Sequence, residues 1–261
     1  MARRDRRRKA APRVRRLNAS FAASPDAFTV PVRWVKAIVG IFLLPPCYIL
    51  TAAFFSALFR AADQDFHRTA EFLFFAAGSA IWLFVFFVLP RPLWIYVFGH
   101  ELTHALAVRL AGGQVLDFNV SREGGHVVTD KINTWIALAP YFIPIYSVIV
   151  IALYGLGSVF YDLEPYRPLL YVLLGFTWTF HATFTLSMIP KGQTDLAYGG
   201  HFFSLLVIYL MNLLVLSFML LLALPQQGGF RKFARDILLF SADFAVGAKH
   251  VFDLLVRAAG Y

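Results

Sequence analysis

The sequence predicts an all-α polytopic membrane protein of about six transmembrane helices, with one small β-hairpin following the third of them. Three observations carry that expectation. Of 261 residues, 59% are hydrophobic and 17% aromatic, outside the range of soluble globular domains. Several apolar runs reach the length of about 20 residues that a helix needs to cross a bilayer. The formal charge of +9 avoids those runs and gathers in the leading tail, at Arg3, Arg4, Arg6, Arg7, Arg8, Lys9, Arg13, Arg15 and Arg16.

The tail, 1–30, reads as a basic cytoplasmic anchor against anionic headgroups of the lipid bilayer. It carries no aromatic interleaving and no folded module, so nucleic acid is not the expected partner. It is not a cleaved signal peptide either, because the first apolar run, 34–59, is long enough to span. Pro45-Pro46 is expected to kink that run. A polar loop, 60–71, leads to a second span, 72–89, which stops at Pro90-Arg91-Pro92. The third, 93–110, ends at Arg109 before Gly112-Gly113. Residues 114–130 then alternate with period two around Arg122-Glu123-Gly124-Gly125, which predicts a β-hairpin. A fourth span, 133–154, is interrupted by Pro140 and Pro144. The fifth covers 169–189 and the sixth 201–224.

Residues 226–261 mix aromatic and aliphatic positions with Arg231, Arg235, Asp236, Lys249 and Asp253, the pattern of amphipathic helices lying on a membrane surface. The transmembrane domain is therefore 31–225. Basic residues in the tail and at Arg231, Lys232 and Arg235 place both termini in the cytoplasm, as expected of a multi-pass protein of the bacterial cytoplasmic membrane. No internal repeat suggests a transporter. The single cysteine, Cys47, excludes an intramolecular disulfide and any multi-cysteine metal site.

Ionisable groups in hydrocarbon are costly and mark function. In the interiors of the six expected spans the acids, bases and histidines are His100, Glu101, His104 and His181. Three of these lie in Gly99-His100-Glu101-Leu102-Thr103-His104. On a helix, His100 and His104 project from one face about 6 Å apart. Two imidazoles so placed supply two ligands to zinc, and the glutamate between them can reach a bound water as general base. The plain alternative is a chance HExxH match whose histidines bond across the bundle.

A zinc hydrolase needs a third protein ligand and an open position. Asp195 follows the fifth span after Pro190, which can end the helix and turn the chain inward; the residues alone equally allow an ordinary loop aspartate. His181 has Thr177 and Thr185 on its own face, so it reads either as a helper hydrogen-bonding the oxyanion or a ligand, or as a core histidine satisfied by those threonines.

From Leu93 to Phe203 the chain resembles the site-2 protease family of intramembrane zinc metallopeptidases. That family carries HExxH on one core helix, a short β-hairpin after it, and a ligand aspartate in the motif Asn-x-x-Pro-x-x-Pro-x-Asp-Gly. Here Ser187-Met188-Ile189-Pro190-Lys191-Gly192-Gln193-Thr194-Asp195 keeps the first proline and the aspartate, with Ser187, Gln193 and Leu196 replacing the asparagine, second proline and glycine. The resemblance implies Zn2+ on His100, His104 and Asp195 with Glu101 as general base, and because that site lies within the bilayer the expected substrate is another protein's transmembrane segment. It also sets up a conflict. In that family the hairpin and site usually open to the cytosol, whereas six spans turn them outward, unless this member is inverted or an early segment does not fully cross. Two other classes compete: a proteolytically silent relative that binds membrane helices, and a haem-binding membrane protein with axial ligands such as His104 and His181. The sequence does not give the oligomeric state.

Overall fold

The computed structural model describes residues 15–16, 32–121, 124–191, 194–223 and 229–259. Apart from Arg15–Arg16, the expected tail lies outside the described residues.

Helix α1, Val32–Ala62, runs on through Pro45 and Pro46. Proline is tolerated inside membrane helices where neighbouring groups satisfy the freed backbone. After a polar turn, the Thr69 side chain accepts from the Phe72 amide and caps α2, Ala70–Val88. That helix stops at Leu89, held extended ahead of Pro90. Helix α3, Leu93–Leu110, carries the HELTH motif. The predicted hairpin forms from β2, Val115–Val120, and β3, Gly125–Thr129. It is antiparallel, pairing Phe118 with Val127 and Asn119 with His126. A short strand β1, Arg15–Arg16, joins the other edge of β3, giving the order β1-β3-β2.

Beyond the hairpin come α4, Thr134–Leu138, a tight turn at Ala139–Tyr141, and α5, Ile145–Ser158. The two halves of this segment meet at 80°. Pro140 and Pro144 are the cause, since neither can donate a backbone hydrogen bond across the break. Then follow α6, Arg167–Met188; α7, Thr194–Gly199; α8, His201–Ala223; and α9, Gly229–Ala258.

Four helices among the described residues (α1, α2, α6 and α8) are long and apolar enough to cross a membrane, and the bent α4–α5 segment brings the number to five at most. The chain is thus a helical multi-pass membrane protein with a small sheet. The remaining expected span, α3, is not among them. Its imidazoles, Glu101 and Arg109 dilute the apolar residues that surround them.

Two pairs of helices run parallel. In the first, α1 and α8 meet at Gly40 and Phe202, then at Thr51 and Tyr209, whose hydroxyls lie 2.6 Å apart, and finally at Ala57 and Leu221. In the second, α2 and α6 begin together at Glu71 and Arg167, 3.7 Å apart, and end at Trp82, which donates to Thr183 at 2.9 Å, and at Phe86 against Phe184. Midway the backbones touch. A Cβ on Gly78 would lie 1.9 Å from the Val172 carbonyl oxygen, and one on Gly175 the same distance from that of Phe75. Small residues at a membrane-helix crossing permit this approach, where packing replaces the hydrophobic effect as the source of cohesion.

Helix α9 returns antiparallel along α1. Arg60 pairs with Asp236 at 2.6 Å, and Tyr48 meets Phe244 with ring centroids 5.9 Å apart. The amphipathic pattern is there, but the first half of its apolar stripe (Phe233, Ile237, Phe240) is spent on α1. Because α1 and α8 are parallel, the start of α1 and the Arg231-Lys232 start of α9 lie at opposite ends of that pair. Both basic clusters share one side only with an even number of crossings between them.

Candidate metal centre

His100 and His104 lie one turn apart on α3, with ring centroids separated by 4.8 Å. Their Nε2 atoms sit 3.3 and 3.4 Å from the same oxygen, Oδ2 of Asp195. One ligand atom from each residue falls within 4.8 Å of the other two, so the three form a group that could hold a metal ion. The site is largely closed: side chains of His104 and Asp195 are 2% and 9% exposed. Burying an acid here is tolerable because the imidazoles face it directly.

The sequence brings Asp195 across 91 residues by local means. Helix α6 ends at Met188, and Pro190 sits in a tight turn at Ile189–Lys191. Asp195 then stands in the first turn of α7. Leu196, where the resembling family has glycine, is fully buried in a core with Ala107, Val108, Ile136 and Tyr141. That apolar anchor seats α7 against α4 and α8, where Ser204 Oγ also donates to the Leu196 carbonyl at 3.0 Å, and presents the neighbouring carboxylate to the imidazoles.

Each of the three side chains also has a partner behind it. His104 Nδ1 lies 2.8 Å from the Ile136 carbonyl oxygen. A carbonyl only accepts, so Nδ1 carries a proton, and Nε2 is the nitrogen turned toward Asp195 and left to ligate when the ring is neutral. The Tyr96 hydroxyl is 3.3 Å from His100 Nδ1. Tyr141 donates to Asp195 Oδ2 at 3.1 Å. This arrangement suits nitrogen and oxygen ligation of a divalent ion, with orientation supplied by outer hydrogen bonds.

Glu101 is buried beneath the hairpin. Gly125, the first residue of β3, approaches so closely that a Cβ there would lie 2.6 Å from Glu101 Cγ. His181 is outside the three-residue group. Its Nε2 is buried without a hydrogen-bond partner among the described residues, while the ring lies against the Tyr141 backbone and the Asn212 side chain. Thr177 bonds the Leu173 carbonyl and Ser147 instead. His126 pairs with Asp117 on the hairpin at 3.1 Å, and His201 is exposed at the start of α8. The alternative coupling of His104 with His181 finds both nitrogens of His104 already directed at Asp195 and Ile136.

Sequence reasoning missed Tyr96, Tyr141 and the Ile136 carbonyl. Tyr96 could have been found, since it stands four residues before His100 on the same helical face. The other two come from the proline-broken segment, whose path no local pattern specifies.

No family model matches the chain, and neither does any curated protein or solved structure.

Proposed function

We propose that the chain is an intramembrane zinc metalloprotease that hydrolyses peptide bonds in transmembrane segments of other proteins. The observation supporting this most strongly is the convergence of both HELTH imidazoles on the carboxylate of Asp195. Two histidines and one carboxylate match the ligand set of hydrolytic zinc sites, which keep a fourth position open. His100, His104 and Asp195 would hold the ion, which when bound would act as Lewis acid and lower the pKa of a water toward neutrality. The donors fit, since the Ile136 carbonyl holds the Nδ1 proton of His104 and so makes Nε2 its ligating nitrogen.

The rest belongs to the chain's own groups. Glu101, beside both ligands in sequence, takes a proton from water and returns it to the departing amine. Tyr96 and the Ile136 carbonyl keep the two imidazoles turned toward Asp195. His181, whose Nε2 makes no hydrogen bond among the described residues, serves as a donor toward the oxyanion. A transmembrane helix must unwind before its amide is accessible. Among the described residues β2 has no strand on its outer side, so an unwound segment can add there by backbone hydrogen bonds.

The test is cleavage of a single-span substrate by the purified chain in liposomes, beside Glu101→Gln. The variant is expected to retain zinc and lose cleavage, and undiminished cleavage would overturn the general-base role. A wild type that binds zinc and membrane helices without cutting them would favour the silent-relative reading.

A further inference from the structure

The proposed zinc site rests on a carboxylate that the chain delivers from a short helix, and the structure shows what fixes it. Tyr141 is fully buried. Its hydroxyl donates to Asp195 Oδ2 at 3.1 Å, and its ring stands edge-on to His100 with centroids 5.3 Å apart. Its backbone is fixed as well, because Asn212 Nδ2 on α8 donates to the Tyr141 carbonyl at 2.9 Å. Tyr141 stands in the tight turn between α4 and α5, where the chain bends by 80°. The same broken segment contributes the Ile136 carbonyl that sets the tautomer of His104. One irregular stretch thus reaches two of the three ligands from behind.

We propose that Tyr141 is a positioning residue for the metal centre, holding Asp195 in ligating orientation through its hydroxyl. Once the imidazole nitrogens serve a metal rather than the carboxylate, this hydroxyl remains as a donor to it. A carboxylate on a ligating atom with no such donor is free to rotate away, and loss of outer hydrogen bonds typically weakens metal binding by roughly 10–100-fold. The inference rests on the zinc reading above and adds a residue that the HExxH pattern does not contain.

The experiment uses the full chain in detergent, with zinc affinity measured by chelator competition and the visible absorption of the Co2+-loaded protein recorded in parallel. Tyr141→Phe keeps the ring and its packing while removing the donor. It is expected to weaken zinc binding by roughly 10–100-fold and to change the cobalt spectrum, with the apo-protein melting temperature unchanged. Asn212→Ala leaves the hydroxyl in place but unpins its backbone, and is expected to shift both readouts in the same direction by less. Wild-type zinc affinity and cobalt spectrum in both variants overturn the proposal, whatever the melting temperatures do. A wild type that takes up neither ion overturns the zinc reading itself, a result distinguishable from failure of the Tyr141 role alone.

Discussion

Gly125 lies directly over Glu101: a single added carbon on the glycine would stand 2.6 Å from the glutamate Cγ and 2.9 Å from the Asn119 carbonyl oxygen of the paired strand. The glycine is closed in on two sides, by the proposed general base and by β2. It is the point at which the hairpin touches the proposed site.

Gly125→Val should therefore displace either β3 or the Glu101 side chain. A misplacement of about 1 Å in a catalytic group can cost roughly 100-fold in rate. The expected outcome is a cleavage rate lowered by about that factor with zinc content unchanged, measured as initial rates in liposomes beside metal analysis. Undiminished cleavage would show that the hairpin can yield without disturbing the glutamate.

The crossing of α2 and α6 depends on Gly78 and Gly175, each facing a backbone carbonyl at 1.9 Å from where a Cβ would stand. Overpacking costs typically about 1–3 kcal/mol and occasionally more, and backbone cannot yield as a side-chain tip does. Gly78→Leu and Gly175→Leu should each lower the unfolding free energy measured in detergent by at least that order. Gly155→Leu should not, because nothing lies within 4 Å of a Cβ at that position.

Parallel α2 and α6 fix a topology. The loop holding Asp65 and the loop holding Asp162 precede those helices and belong on one side of the membrane, with Arg91 on the other. In a Cys47→Ser background, single cysteines at 65 and 162 should react together with an impermeant thiol reagent, and one at 91 from the opposite face. Labelling of 65 and 162 from opposite faces would contradict the parallel pairing.

The parts of this fold that were legible in the sequence are those with a local cause. The spacing of His100 and His104 determines that they share a face, and period-two alternation determined the hairpin. Pro190 signalled that the chain would turn before Asp195. The apolar runs were legible by length, and α3 is the one expected span that stands apart, its polar motif making it less apolar than the others. The parallel pairings were not legible, since Gly78 and Gly175 lie 97 residues apart and neither shows its partner. Tyr141 escaped for the same reason: its hydroxyl reaches Asp195 only because two prolines break a helix and Asn212 holds the break in place.

As proposed, three side chains from α3 and α7 grip one divalent ion. The most direct test of this is the metal content of the purified wild type beside Asp195→Ala, by elemental analysis after removal of loosely held metal. The account predicts about one zinc per wild-type chain and little or none in the variant, as expected when one of three protein ligands is lost. A wild type devoid of metal, or a variant that retains a full complement, would contradict it.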